Sequence, residues 1–130
     1  KFRKSHNILM VSDHMKDQLH EKYEYPVVSW HGIESWNVDF SEESRHLGFM
    51  FAGLNEKTQK DEFIYMGMNM HWKKEKFELP KLPDNKEWYL FLNTDNYFGS
   101  DIYELGNEEK LINQKYVIIE GRSIVVLLGK

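Results

Sequence analysis

Hydrophobic and polar residues alternate with a period of two along most of the chain after residue 26, which is the periodicity of β-strands. The clearest alternation runs through residues 63–72 and has two interleaved sets, Ile64, Met66, Met68, Met70 and Trp72 against Phe63, Tyr65, Gly67, Asn69 and His71. The first set is wholly apolar, so we expect it to lie on the core. The second set is half polar, so we expect it to face solvent or a neighbouring domain.

The other predicted strands are shorter and are separated by turn-forming residues. We predict them at 27–30, 45–52, 77–79, 88–92, 116–120 and 123–128, with the last two forming a hairpin across Gly121 and Arg122. A helical pattern occurs only near the N-terminus, where Ser12 is a candidate N-cap for a helix over residues 12–20. The pattern predicts an all-β fold, an antiparallel β-sandwich of six to eight strands with Greek-key-like order and a short N-terminal helical segment.

Net charge, apolar runs and cysteine content limit the classes of binding partner that we expect. The chain has 130 residues, enough for one domain, and a formal net charge of −4, which gives it no electrostatic reason to bind nucleic acid. No apolar run is long enough to span a membrane. Cysteine is absent, which excludes disulfides and zinc–thiolate sites, and no Asn-x-Ser/Thr sequon occurs. We therefore expect no nucleic-acid partner and no membrane partner. The missing cysteines and sequons favour a cytoplasmic location, with an extracellular one as the alternative.

Catalytic chemistry is not visible in the sequence. A glycosidase needs two carboxylates that flank a cleft, whereas the acidic residues here stand mostly in polar loops or beside lysines, as at Glu42–Glu43 and Asp61–Glu62. The six histidines lack the i, i+4 spacing of a helical zinc site. We predict no catalytic residue, no metal site and no cofactor in this chain.

Aromatic residues are the remaining candidates for a binding function. Flat aromatic rings stack on the apolar C–H faces of sugar rings, and they also fill the cores of β-sandwiches. Trp72 and Trp88 stand on the apolar sides of their predicted strands, so we expect both to be buried. Trp36 lies in the polar stretch Glu34–Asn37, so we expect its ring to be exposed.

Several segments, in their order along the chain, resemble the C-terminal region of isoamylase-type and pullulanase-type debranching enzymes of the α-amylase superfamily. They are Phe2–Leu9, Ser29–Gly32, Asp39–Ser41, Ser44–Phe49, Met68–Trp72, Phe77–Pro80 and Arg122–Leu127. The first resembles the closing helix of the catalytic barrel in that family, and the others resemble the β-sandwich that follows it. The chain departs from the family pattern in residues 11–25, and Asn37 and Val38 replace the usual proline after Trp36.

The resemblance implies a glycoside-hydrolase fragment in which residues 1–25 are the tail of the last barrel helix and a linker, and residues 26–130 are a C-terminal β-sandwich domain. The lack of an initiator Met at Lys1 agrees with a position inside a longer polypeptide. The catalytic acids of that family lie in the barrel, upstream of this chain, so none is carried over. The implied function is that of a non-catalytic domain that packs on and stabilises the barrel of an enzyme debranching α-1,6-linked glucans such as glycogen, starch or pullulan.

Two expectations follow about partners. If the catalytic barrel of the same polypeptide is the partner, an apolar patch should be exposed around Phe2, Ile8 and Leu9, where the barrel would sit. The alternative is an accessory module that binds α-glucan through exposed aromatics. The candidate carbohydrate-binding residues for that alternative are Trp36, Trp30, His31, Asn69 and His71.

Overall fold

The computed structural model describes residues 1–10, 22–23 and 25–130, so the helix predicted over residues 12–20 lies outside the described residues. The N-terminal segment contains one helical turn, α1 (Phe2–Ser5), followed by a 3₁₀ turn (Asn7–Leu9). The described strands are β1 (Val28–His31), β2 (His46–Asn55), β3 (Lys60–Asn69), β4 (Glu75–Glu78), β5 (Trp88–Asn93), β6 (Glu109–Lys110), β7 (Tyr116–Ile119) and β8 (Ser123–Gly129). Within these ranges, no helix has the length and apolar character needed to cross a membrane.

The strands form two antiparallel sheets, which confirms the predicted all-β, sandwich-like fold. The larger sheet has the strand order β1-β2-β3-β8-β5-β6, and the smaller sheet consists of β4 and β7. β2 and β3 form a long hairpin in which Met50 lies opposite Tyr65. β8 lies between β3 and β5 and therefore joins the two halves of the larger sheet.

The main core lies between the two sheets. The larger sheet contributes fully buried side chains, namely Met50, Ala52, Phe63, Tyr65, Trp88 and Leu127. Trp88 is buried as predicted, and its indole N–H donates to the Pro80 carbonyl at 2.9 Å. Phe77 and Ile119 close the core from the smaller sheet. The approach is close, because a Cβ on Gly67 would lie 2.5 Å from Ile119 Cδ1.

The prediction for the two faces of β3 is wrong. The set expected to face outwards includes Phe63, Tyr65, Gly67 and Asn69, which are all buried, and Gly67 and Asn69 contact Ile119 of the smaller sheet. Of the set expected in the core, only Ile64 is buried; Met66 and Met68 are half-buried, and Met70 and Trp72 are exposed. The physical reason is that both faces of the larger sheet carry apolar side chains, so apolar character alone does not identify the face that the smaller sheet covers.

The predicted hairpin of β7 and β8 is also wrong. β7 pairs with β4, placing Val117 opposite Phe77, whereas β8 pairs with β3 and β5. The chain crosses from the smaller sheet to the larger one at a turn in which Arg122 has a left-handed φ of 58°. Ile119 and Val125 then reach the same core from different sheets. The strands that β7 and β8 pair with are therefore determined by the packing of these buried side chains. The closeness of β7 and β8 in the sequence does not determine it.

We call the face of the larger sheet that points away from the smaller sheet the outer face, and the N-terminal segment covers part of it. Ile8 packs so closely on Gly53 that an added Cβ would lie 2.8 Å from Ile8 Cγ2. Phe2 stacks on Phe91 with ring centroids 4.2 Å apart. Ile8 is buried, and Phe2 and Leu9 are half-buried. These three residues therefore do not form the exposed patch that the sequence predicted, because they cover the sheet themselves.

Candidate functional site

An apolar groove lies on the outer face, beside the N-terminal segment. Its volume is about 760 Å³. The lining includes Phe51, Met66, Phe91, Leu92, Ile102 and Leu105. Ile102 and Leu105 are exposed despite being apolar. A contiguous exposed apolar surface of this kind is typical of a binding site for another protein surface or a ligand.

Exposed aromatic rings extend the groove towards β1 at the edge of the sheet. Trp30 lies opposite Phe49 in the register of β1 and β2, with ring centroids 5.8 Å apart, and Phe40 packs edge-on against Trp30 at 6.0 Å. Trp30 and Phe40 are both exposed, and Phe49 also lines the groove. Trp30, Phe40 and the groove thus form one continuous surface, which we call the outer apolar surface. The structure places Trp30, a predicted sugar contact, on this surface.

A polar network attaches the N-terminal segment to the tip of the β2–β3 hairpin. The side-chain amide of Asn55 donates to the Ser5 carbonyl at 2.9 Å and to Glu62 Oε1 at 2.6 Å. The other carboxylate oxygen of Glu62 lies 3.1 Å from His6 Nδ1. Asn55 is buried and bonds both partners at once, so the network holds the segment in one orientation on the sheet. We call these four residues the N-terminal latch.

His31 and Trp36 lie on the opposite side of β1 from Trp30. The His31 ring is fully buried; its Nδ1 accepts a hydrogen bond from the Trp36 backbone N–H at 2.9 Å, and its Nε2 lies 2.8 Å from Ser29 Oγ. Trp36 has a left-handed φ of 65° and, as predicted, an exposed ring. His31, a candidate carbohydrate-binding residue in the sequence, is buried in this structure, and both of its ring nitrogens have partners within the protein. Its structural effect is to hold the backbone of the loop that carries Trp36.

The buried His31 makes stability depend on pH. Burial lowers the pKa of His31 from 6.5 to about 4. The unfolded chain therefore binds more protons than the folded chain between about pH 6.5 and pH 4, and the folded state loses stability as the pH falls through that window. We expect His31 to contribute about 2–3 kcal/mol to the loss in the free energy of unfolding between pH 7 and pH 4, measured by urea denaturation at both pH values.

His31→Asn should reduce this pH dependence, because asparagine does not titrate in that window and its amide oxygen can accept the Trp36 N–H. His71→Asn is the matched control, since His71 lies outside the core. An equal loss of stability in His31→Asn and in the unchanged chain would contradict the assignment of the effect to His31.

Asn69 organises the corner between β3 and β4. It is fully buried, and its amide N–H groups donate to backbone carbonyls that include those of Lys73 and Ile119, at 2.8 and 3.0 Å. Its Oδ1 accepts the His71 backbone N–H at 3.0 Å. Asn69 is thus fully occupied within the protein, and it fixes the corner on which His71 and Trp72 stand. Asn69, a candidate carbohydrate-binding residue in the sequence, is buried in this structure and bonds only groups of the protein itself.

Trp72 is exposed on this corner, which corrects the prediction that it lies in the core. Its side chain is 72% exposed, because β3 ends at Asn69 and Trp72 belongs to the following turn. The His71 ring stacks on Trp72 with centroids 4.1 Å apart and an interplanar angle of 23°. The structure therefore brings His71, a predicted binding residue, next to an aromatic ring that was expected elsewhere.

Acidic and histidine side chains do not gather into a larger cluster in the described parts of the chain, where no group of three such residues is placed to hold a metal ion. The half-buried carboxylate of Glu62 belongs to the N-terminal latch. The side chain of Glu108 is almost completely buried and pairs with Lys130. These contacts join segments that are distant in sequence, so their role is structural.

Sequence reasoning missed the outer apolar surface and the N-terminal latch. The groove residues belong to different strands and meet only because β8 lies between β3 and β5. The available signal was β3 itself, in which Ile64 and Tyr65 are neighbours that point to opposite faces. Large apolar residues on both faces of one strand indicate that both faces of the sheet are covered. Here the smaller sheet covers one face, and the N-terminal segment covers part of the other.

Comparison with known proteins agrees with the architecture. Residues 30–128 match a protein-family model described as "Isoamylase, C-terminal", a range that extends from β1 to β8 and covers more than half of the chain. No curated protein sequence matches the chain significantly. The family match includes the outer apolar surface on β2, β3 and β8 as well as the Trp72 corner. The chain belongs to the isoamylase C-terminal domain family.

Proposed function

We propose that this chain is the non-catalytic C-terminal domain of a glycoside hydrolase that debranches α-1,6-linked glucans, and that its outer apolar surface packs on the catalytic barrel. The observation that carries the proposal is the groove of about 760 Å³ on the outer face. A soluble domain rarely leaves such a surface open, and an intramolecular partner would cover it permanently.

The N-terminal segment does not itself supply the exposed patch expected for a barrel partner, because Ile8 is buried and Phe2 and Leu9 are half-buried. Its position on the outer face, beside the groove, supports the same face as the docking face. Residues 2–9 resemble the closing helix of the barrel, and they lie along the outer face with Phe2 stacked on Phe91. The latch fixes this segment to the β2–β3 hairpin. If the segment is the end of a barrel helix, the rest of the barrel lies beyond it, next to the groove. We propose residues 1–25 as the joint between barrel and sandwich and residues 26–130 as the sandwich domain.

The docking proposal predicts that charge in the groove blocks association with the catalytic domain. Ile102 and Leu105 are exposed groove residues, so replacing both with lysine should have little effect on the fold. Burying the two ammonium groups against an apolar partner is costly. We expect the affinity for the separately expressed catalytic domain to fall by about tenfold or more, measured by calorimetric titration.

The matched control is Ile118→Lys, an equally apolar and exposed position on β7 in the smaller sheet. This variant should bind the catalytic domain as tightly as the unchanged chain. If Ile118→Lys weakens association as much as the groove variant does, the domain docks through its other sheet and the proposed face is wrong.

A second candidate function is that of an accessory glucan-binding module. The observation that favours it is the exposure of three tryptophans, Trp30 at 48%, Trp36 at 46% and Trp72 at 72%. Trp30 belongs to the surface that we assign to the barrel, and the buried His31 supports the loop of Trp36. His71 and Trp72 do not line the groove of the outer apolar surface, so we propose that this corner stays available for a ligand when the groove is covered.

A further inference from the structure

We propose that Trp72 is a one-sided stacking platform for a glucose unit of an α-glucan chain, with His71 and Asn69 as positioning residues. The inference deepens the second proposed function and rests on it, because the choice of a sugar follows from a parent enzyme that acts on glucans. It does not depend on docking through the outer apolar surface.

The geometry of the ring favours a flat ligand. The His71 imidazole covers one face of the Trp72 indole at 4.1 Å, with the two rings nearly parallel. Trp72 is nevertheless 72% exposed, so we infer that the ring face away from His71 is the one open to solvent. A pyranose ring has an apolar C–H face of about the same extent as one indole face, and stacking removes both from water.

Hydrogen bonds and a close backbone approach hold the corner that carries Trp72. Asn69 Oδ1 accepts a hydrogen bond from the His71 backbone N–H at 3.0 Å, and His71 Nδ1 accepts one from the Lys73 backbone N–H at 3.2 Å. On the other side, the backbone of Gly121 touches the Trp72 carbonyl, since a Cβ on Gly121 would lie 2.2 Å from that oxygen. A platform fixed by its neighbours loses little conformational entropy when a ligand binds, so more of the contact energy appears as affinity.

The surroundings of Trp72 suit a sugar better than a protein surface. Lys73, Lys74 and Arg122 are exposed, and the Arg122 backbone N–H donates to the His71 carbonyl at 2.9 Å. Exposed cationic residues next to Trp72 in the chain, and Arg122 on the adjoining turn, can provide hydrogen-bond donors for hydroxyl groups at the edge of a sugar. The outer apolar surface is different, because there apolar rings continue from β1 to β5. A ligand with one apolar face and polar edges therefore fits the Trp72 corner.

The other tryptophans do not offer the same arrangement. Trp30 packs against two aromatic neighbours, and Trp88 is buried. Trp36 contacts the rings of Tyr25 and His31, at 5.5 and 4.6 Å, without a parallel stack on either. Trp36 is therefore the appropriate comparison residue: it is exposed, lies elsewhere in the fold, and lacks the backing ring.

The test is electrophoresis of the chain through native gels with and without glycogen, together with titration by maltoheptaose. We expect the unchanged chain to be retarded by glycogen and Trp72→Ala to lose affinity by about fivefold or more. Trp36→Ala should be retarded as strongly as the unchanged chain. His71→Ala should weaken binding, and His71→Phe should restore it, because phenylalanine supplies a flat ring beneath Trp72.

Three results would overturn the proposal. The first is equal retardation of Trp72→Ala and the unchanged chain, and the second is the absence of retardation in any glucan. The third is that Trp72→Ala lowers affinity for the catalytic domain and leaves glycogen binding unaltered, since Trp72 would then belong to a protein interface. Loss of binding in Trp36→Ala alone would place the glucan site at Trp36 and keep the module function.

Discussion

Replacing Trp88 with alanine is expected to lower the free energy of unfolding by about 3–5 kcal/mol, enough to unfold a large fraction of a marginally stable domain. Trp88 is 1% exposed and stands where the two sheets meet. Its ring packs edge-on against Tyr65 at 6.0 Å, and its N–H bonds to the Pro80 carbonyl. Truncation would leave a large cavity and an unpaired buried carbonyl. Urea denaturation followed by circular dichroism measures the loss.

Trp72→Ala is the matched control for Trp88→Ala. Both tryptophans follow the same apolar pattern in sequence, but Trp72 is exposed, so its removal should change stability by no more than about 0.5 kcal/mol. Comparable destabilisation by the two substitutions would show that Trp72 also contributes to the core. That result would contradict the corner described for β3 and β4 and, with it, the platform.

Asn69→Ala is expected to destabilise the protein by about 3 kcal/mol. The amide of Asn69 satisfies carbonyls of Lys73 and Ile119 and the N–H of His71, all close to the buried end of β3. Without the amide, several polar groups lose their hydrogen-bond partner at once. Each buried group left without a partner costs about 1–3 kcal/mol, and the cost is smaller where water can reach the group. The same denaturation measurement applies.

Asn37→Ala serves as the control for Asn69→Ala. Asn37 is exposed, and its side chain bonds to Glu34, so its loss should have an effect near zero. If the two asparagine variants are equally stable, the carbonyls around Asn69 find water or new partners, and the corner is less dependent on this amide than its contacts indicate.

Strand positions were predictable because a period of two is a local property. β1, β3 and β5 begin within a few residues of their predicted positions. The assignment of faces failed, because it depends on which element covers each face. Tyr65 and Ile64 are both buried, one under the smaller sheet and the other near the N-terminal segment. No local sequence pattern shows which face the smaller sheet covers and which face the N-terminal segment covers.

Among the candidate binding residues, too, exposure that depends on neighbours in the sequence was predictable, whereas burial that depends on distant residues was not. The exposure of Trp36 follows from the polar stretch around it and was predicted. The burial of His31 and Asn69 depends on partners distant in sequence, such as the Ile119 carbonyl 50 residues from Asn69. Polar side chains of this kind look like ligand contacts in a sequence, because the backbone groups that they satisfy have no sequence signature.

The position of β8 has a consequence for the order in which the protein can fold during synthesis. β8 follows the other seven described strands in the chain, yet it lies between β3 and β5. Until it leaves the ribosome, β1-β2-β3 and β5-β6 are separate units with unpaired edges facing each other. Those edges are open to association with other chains. The large sheet closes only when the last of these strands is inserted, so folding is late and dominated by long-range contacts, which slow it.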